Sequence, residues 1–199
     1  MTTPDPVLSK AMQSIRDAIT EAEARHLKDA THASLATTKT DGQPSVRTIY
    51  LTAIQDDGIV FFVNSESGKG KQLQKNPKAG LCLFWPEVQT QVTLEGEVSP
   101  LPIEDSNRYW ALRPRDAKIA SWASDQAGET QSQENLRSSR DQVRHDHAFE
   151  EVPRPEVWQG LLFQPTRIEF WRTGWQHLRA RHLLWLDDAG QWQEADDNP

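Results

Sequence analysis

The residues able to do chemistry in this chain are mostly cations set beside small or aromatic neighbours. Arg47 lies within Val46-Arg47-Thr48-Ile49-Tyr50-Leu51, where period-two alternation gives it the face of Ile49 and Leu51. A guanidinium on a covered face needs an anionic partner, and a core carboxylate and a bound anion both remain open. Asn64-Ser65-Glu66-Ser67-Gly68-Lys69-Gly70-Lys71 runs from a strand pattern into a helix pattern. Its small residues expose backbone N–H groups beside Lys69 and Lys71, so it reads either as an anion seat or as a helix start capped by Ser67. Its glycine-to-lysine spacing is not that of a Walker loop. Tyr109 and Arg113 stand four apart on one helical face, suited to gripping a phosphate, although Arg113-Pro114-Arg115-Asp116 also reads as a plain junction between helices. In His177-Leu178-Arg179-Ala180-Arg181, alternation places His177, Arg179 and Arg181 on one strand face, where they repel unless an anion or an acid is present.

Other chemistries find little support. His145-Asp146-His147 splays over different faces of a helix, so no metal site is expected. There is no Gly-x-Ser-x-Gly elbow, and Cys82 in an apolar strand reads as core. Many anion-gripping groups with few proton-transfer groups point to a chain that relies on a cofactor for its reaction.

The elements that must position these groups follow from periodicity. Leu8, Met12, Ile15, Ile19 and Ala22 recur in steps of three and four, predicting an amphipathic helix over 6–27. Segments 32–38, 45–54, 59–64, 79–85 and 90–98 read as strands of an antiparallel meander, with the Asp56-Asp57-Gly58 turn inside it and one short helix beginning near Ser67. Residues 103–112, 116–124 and 133–147 read as helices within a polar segment spanning 102–149, the last of them charged and exposed. Strands return at 161–171, 180–186 and 191–194, within a closing segment spanning 160–196. Strands that resume after the helices complete the early sheet, giving an α+β fold on one domain over residues 1–199.

Composition bounds the partners. Against 29 acidic residues stand 22 Lys and Arg, a net charge of -7 that argues against a general nucleic-acid or anionic-membrane surface. One cysteine excludes an internal disulfide framework and a Cys-rich zinc site. No apolar run approaches the ~20 residues that span a bilayer, and Met1-Thr2-Thr3-Pro4-Asp5 has no export signature, so a cytoplasmic location is expected.

Arg47-Thr48-Ile49-Tyr50-Leu51, Phe61-Phe62-Val63-Asn64, Gln91-Val92, Tyr109-Trp110-x-x-Arg113-Pro114-Arg115-Asp116 and Glu169-Phe170-Trp171, in this order and spacing, resemble the pyridoxine/pyridoxamine 5'-phosphate oxidase family. The resemblance runs from about Asp5 to Trp192. It implies an antiparallel split β-barrel with flanking helices, FMN as cofactor, and a homodimer with its sites at the interface. Carried over position by position, Arg47 and Lys69 hold the FMN phosphate with Ser67 at the helix start. Thr48, Ile49 and Tyr50, and Phe62 with Val63, run alongside the flavin. Gln91 and Gln126 hydrogen-bond to it, and Trp171 and Arg181 close the site. Thr52, Tyr109, Arg113, His177 and Arg179 fall on the substrate side, the last two as the catalytic pair that orients the substrate.

The chain also departs from the family pattern. Thr52 stands where the family has a lysine that reaches the substrate phosphate, Gly68-Lys69 replaces an Arg-Lys pair, and Ala117 replaces a phosphate-binding serine. The family's Arg-x-His reads His177-x-Arg179 here. The resemblance therefore implies an oxidase forming pyridoxal 5'-phosphate with dioxygen. The departures keep open an FMN-dependent oxidoreductase for another small molecule, and Gly68 a non-enzymatic binding module for FMN or pyridoxal 5'-phosphate.

Overall fold

The computed structural model describes residues 4–127, 132–173 and 179–197, without the side chains of residues 124–127, 173, 179 and 197. Helix α1 spans Pro6–Ala24, and its N-cap Asp5 accepts a hydrogen bond from the Val7 amide at 2.8 Å. The stripe read from the sequence is its buried face, with Met12 and Ile15 fully covered.

Strands β1 (His32–Thr38), β2 (Pro44–Gln55) and β3 (Gly58–Asn64) form successive antiparallel pairs. The chain then passes through α2 (Gly68–Lys75) into β4 (Lys78–Trp85) and β5 (Thr90–Pro100). The expected meander breaks here, because β4 pairs with β1 instead of β3. The free edge of β3 is taken by β6 (Trp158–Thr173), with Ile59–Asn64 opposite Phe163–Trp158. Strand β6 also pairs with β5 along most of its length, so β3-β2-β1-β4-β5-β6 closes into a six-stranded antiparallel barrel. Strands β7 (Arg179–Leu186) and β8 (Trp192–Asp197) extend the sheet beyond β6.

Closure requires β6 to bend. The β5–β6 register shifts between Glu95 and Gly96, opposite Pro165 and Arg167. A Cβ at Gly96 would lie 2.2 Å from the Gln164 carbonyl oxygen, so only glycine allows the strands this approach.

Leu35, Ile59, Phe61, Leu83, Leu94, Phe163 and Ile168 fill the main core, which α1 joins. Helices α3 (Ile103–Leu112), α4 (Arg115–Ala127) and α5 (Gln133–Asp146) contribute to a second cluster of Trp110, Ile119, Val143, Val152 and Trp158. Helix α5 is largely exposed, as its charge predicts, but Val143 is buried in that cluster. Among the described residues no helix is long and apolar enough to cross a membrane.

Candidate active site

Two candidate anion seats form around β3 and its neighbours. The first joins β2 to α2. Residues 46, 48, 50 and 52 of β2 are exposed, while Ser45, Arg47, Ile49 and Leu51 turn toward the covered side. Arg47 Nη1 donates to Thr37 Oγ1 at 2.5 Å and to the Leu35 carbonyl at 3.3 Å. Its Nη2 donates to Ser45 Oγ at 2.5 Å and to Gln72 Oε1 at 3.1 Å. Every hydrogen-bond partner of Arg47 among the described residues is an uncharged oxygen, so the core-carboxylate alternative is not what the fold provides. Burial lowers the pKa of Arg47. Lys69 is lowered first by burial and then by the charge of Arg47, so the two cations feel one another. Neither forms an ion pair among the described residues. Lys71 is different, because its Nζ lies 3.4 Å from the Glu66 carboxylate on the surface.

The start of α2 completes this seat. Ser67 Oγ accepts from the Gly70 amide at 3.3 Å and donates to the Asn64 carbonyl at 2.6 Å, so its hydroxyl is used by the cap. The first amides of the helix, at Gly68 and Lys69, have no acceptor within it and add positive potential. Gly70 sits tightly on the preceding turn, since a Cβ there would meet the Asn64 carbonyl oxygen at 2.4 Å.

The second seat is built on aromatic rings. Phe62 stacks on Trp158 with centroids 3.9 Å apart and meets Tyr109 edge-on at 5.4 Å. Arg113 ends α3 with its guanidinium carbon 5.2 Å from the Trp158 ring centroid and 5.7 Å from that of Trp110. Its Nη2 donates to the Ala117 carbonyl at 3.3 Å and to Ser121 Oγ at 3.2 Å, while its buried Nε has no partner among the described residues. Burial lowers its pKa. A covered guanidinium with an unused donor is suited to an anion. Tyr109 stands beside it, its hydroxyl accepting from Gln55 Nε2 at 3.4 Å.

A third group lies elsewhere. Gln91, Trp171 and Arg181 are cross-strand neighbours on the outer face of β5, β6 and β7. Arg47 faces the opposite side of the same sheet. Arg181 meets an acid, Glu169, in a two-point pair, which answers the repulsion expected along its strand face. Thr48, Tyr50 and Thr52 are exposed, whereas the side chains of Ile49 and Val63 are core, so only their backbone is placed to border a ligand. His177 lies outside the described residues, as do the side chains of Gln126 and Arg179.

Comparison with known proteins decides the family. The family profile described as "Pyridoxamine 5'-phosphate oxidase" matches residues 19–147. A protein of Anaeromyxobacter dehalogenans named pyridoxine/pyridoxamine 5'-phosphate oxidase is 39% identical over 178 residues, covering 89% of this chain and 87% of its own. The chain belongs to the pyridoxamine 5'-phosphate oxidase family. A Salinibacter ruber protein of the same name is 38% identical, with 94% of this chain and 88% of its own covered. The solved structure of PhzG from Burkholderia lata in complex with tetrahydrophenazine-1-carboxylic acid superposes with a TM-score of 0.87 at 25% identity, over 100% and 99% of the two chains. An FMN-binding, pyridoxamine 5'-phosphate oxidase-related protein from Nostoc punctiforme shares the fold, with a TM-score of 0.78 at 19% identity over the whole of both chains. Membership of the pyridoxamine 5'-phosphate oxidase family makes this chain an FMN-dependent oxidoreductase on a split barrel. The cradle fits that cofactor, since Arg47, Lys69 and a helix start with no acid among them suit a phosphate dianion.

Several residues of the site escape a sequence reading. Thr37, Ser45 and Gln72 hold Arg47, Ser121 holds Arg113, and Trp158 carries both Phe62 and Arg113. Gln72 had one signal, its place three residues after Lys69 on the same helix face. Ser45 had another, its place two residues before Arg47 on the same strand face, while the rest are brought in by strand pairing or by packing between elements.

Proposed function

We propose that this protein oxidises pyridoxamine or pyridoxine 5'-phosphate to pyridoxal 5'-phosphate, with dioxygen as the final electron acceptor. The carrying observation is the second anion seat: Arg113 offers a buried Nε, without a partner among the described residues, beside Tyr109 and separate from the cation pair on β2 and α2. Two seats suit two phosphates, one on the cofactor and one on the substrate. Bound at Arg47 and Lys69, FMN supplies a two-electron acceptor that dioxygen restores. Arg113 and Tyr109 hold the substrate phosphate and so fix the distance of its reacting carbon. His177 and Arg179 orient the substrate ring. For the amine, the balance is substrate, dioxygen and water giving aldehyde, ammonia and hydrogen peroxide.

The site belongs to two copies of the chain in this reading. Arg47 and the Gln91-Trp171-Arg181 row lie on opposite faces of one sheet, so a single copy offers them to different ligands. Val46, Tyr50 and Phe84 are 65%, 66% and 56% exposed on the outer face, apolar surface that a second copy would cover. FMN then lies between one protomer's cradle and its partner's outer row.

The purified holoprotein, incubated in air with pyridoxamine 5'-phosphate, is expected to form the aldehyde and one peroxide per turnover. No product at millimolar substrate ends this reading. A second reading keeps FMN and changes the substrate. Thr52 is exposed without a cationic side chain, Ala117 offers only a carbonyl to Arg113, and PhzG shows the fold holding a different molecule. A Thr52→Lys variant that gains vitamer phosphate turnover by about 10-fold or more supports it, and efficient wild-type turnover removes its basis.

A further inference from the structure

We infer that Gln72 is a positioning residue that makes the cradle selective for a phosphorylated flavin: its amide oxygen fixes the Arg47 guanidinium without neutralising it. The inference rests on the cradle being the FMN phosphate seat.

Three side chains close a ring of hydrogen bonds. Arg47 Nη1 donates to Thr37 Oγ1 at 2.5 Å, Thr37 Oγ1 donates to Gln72 Oε1 at 2.5 Å, and Arg47 Nη2 donates to the same Gln72 oxygen at 3.1 Å. A guanidinium has only donors, so the glutamine must present its oxygen and turn its NH2 away. Thr37 is buried at 2% exposure, which anchors the ring to the barrel wall. Ser45 Oγ and the Leu35 carbonyl accept from the other sides of the guanidinium. The fork is thus held from three elements, β1, β2 and α2, wholly by neutral oxygens.

The neutrality has a consequence for binding. A carboxylate would be the ordinary acceptor at 3.1 Å from a guanidinium. At position 72 it would also share a helix face with Lys69, three residues earlier, and would satisfy both cations internally. The amide supplies the same geometry and leaves both charges for the ligand. Fixing the positive charge in place while withholding its counter-ion favours a dianion over a neutral ribityl hydroxyl.

Apoprotein prepared from the holoprotein is titrated with FMN and with riboflavin, following quenching of flavin fluorescence, and its thermal midpoint is recorded. The Gln72→Glu variant is expected to bind FMN about 10- to 100-fold more weakly, to bind riboflavin within about 2-fold of wild type, and to melt a few degrees higher as apoprotein. Gln72→Met keeps the length without the acceptor. It is expected to lose about 3- to 10-fold in FMN affinity, to leave riboflavin unchanged, and to gain no thermal stability. If Gln72→Glu does not fold, the FMN-to-riboflavin ratio of Gln72→Met decides. Wild-type FMN affinity in Gln72→Glu, or a parallel loss of both flavins in either variant, overturns the inference and leaves the cofactor reading standing. Failure of the wild type to take up FMN overturns both.

Discussion

Arg181 and Glu169 face each other at two points on the outer face of β6 and β7, with Nε to Oε1 at 2.8 Å and Nη2 to Oε2 at 2.9 Å. The hydrogen bond from Arg181 holds the Glu169 carboxyl below the usual carboxylate range; burial opposes this, and the charges of Arg181 and Arg167 add to it. A carboxyl depressed by folding contributes stability that is present above its unfolded value and is lost as pH falls through its folded value. Glu169→Gln is therefore expected to cost about 0.5–1 kcal/mol near neutrality, a small figure because Arg181 is 40% exposed. The gap between the melting curves of the two proteins should be full above the unfolded glutamate value, about 4.3, and close as pH falls below it. A gap that stays constant across that range contradicts the pairing.

Arg47→Ala is expected to release FMN and leave a colourless protein. The guanidinium makes four hydrogen bonds to Leu35, Thr37, Ser45 and Gln72, so the cradle loses its frame as well as a charge. The loss in FMN affinity is expected to reach 10- to 100-fold, about 1.5–3 kcal/mol. Absorbance of the purified variant and a flavin titration check this, and an unchanged flavin spectrum contradicts the assignment.

Lys69 is expected to make FMN binding sensitive to alkali. Burial and the charge of Arg47 lower its pKa, so charged Lys69 is a cost in the apoprotein. That cost is full below its folded value and is relieved as pH rises toward the unfolded lysine value. The apoprotein should thus gain stability relative to Lys69→Met over this window while its FMN affinity falls, because the deprotonated amine no longer meets the phosphate. FMN affinity against pH, measured for wild type and Lys69→Met, tests the sign. A wild-type affinity that rises with pH refutes it.

Arg113→Ala is expected to separate substrate from cofactor. The Arg113 guanidinium lies against Trp110 and Trp158 and donates to Ala117 and Ser121, none of which holds Arg47. Flavin content should stay at the wild-type level while KM for a phosphorylated substrate rises about 10- to 100-fold. Loss of FMN in this variant would mean that the two seats are one.

Trp158→Ala tests the support under that seat. Trp158 is 6% exposed, stacks on Phe62 and lies below Arg113. Its removal is expected to cost about 3–5 kcal/mol in denaturant unfolding. A cost below about 1 kcal/mol would show that the ring is not a packing centre.

The amphipathic stripe of α1, the alternation of β2 and the polar helices of 102–149 were legible in the sequence because each depends on residues a few positions apart. The same local reading placed Arg47 on a covered strand face and Lys69 at a helix start. Which strands meet is a different question, settled by edges left free elsewhere in the chain. Strand β3 pairs with β6 nearly a hundred residues later, and this sends β4 to β1 and closes a barrel where local pattern suggests a meander. That closure also decided the surroundings of each charge. Arg47 met the neutral oxygens of Thr37 and Gln72, Arg181 met the carboxylate of Glu169, and the two arginines came to opposite faces of one sheet. The residue types were fixed locally, but the partner of a buried charge is set by packing between elements, and only the tertiary structure supplies it.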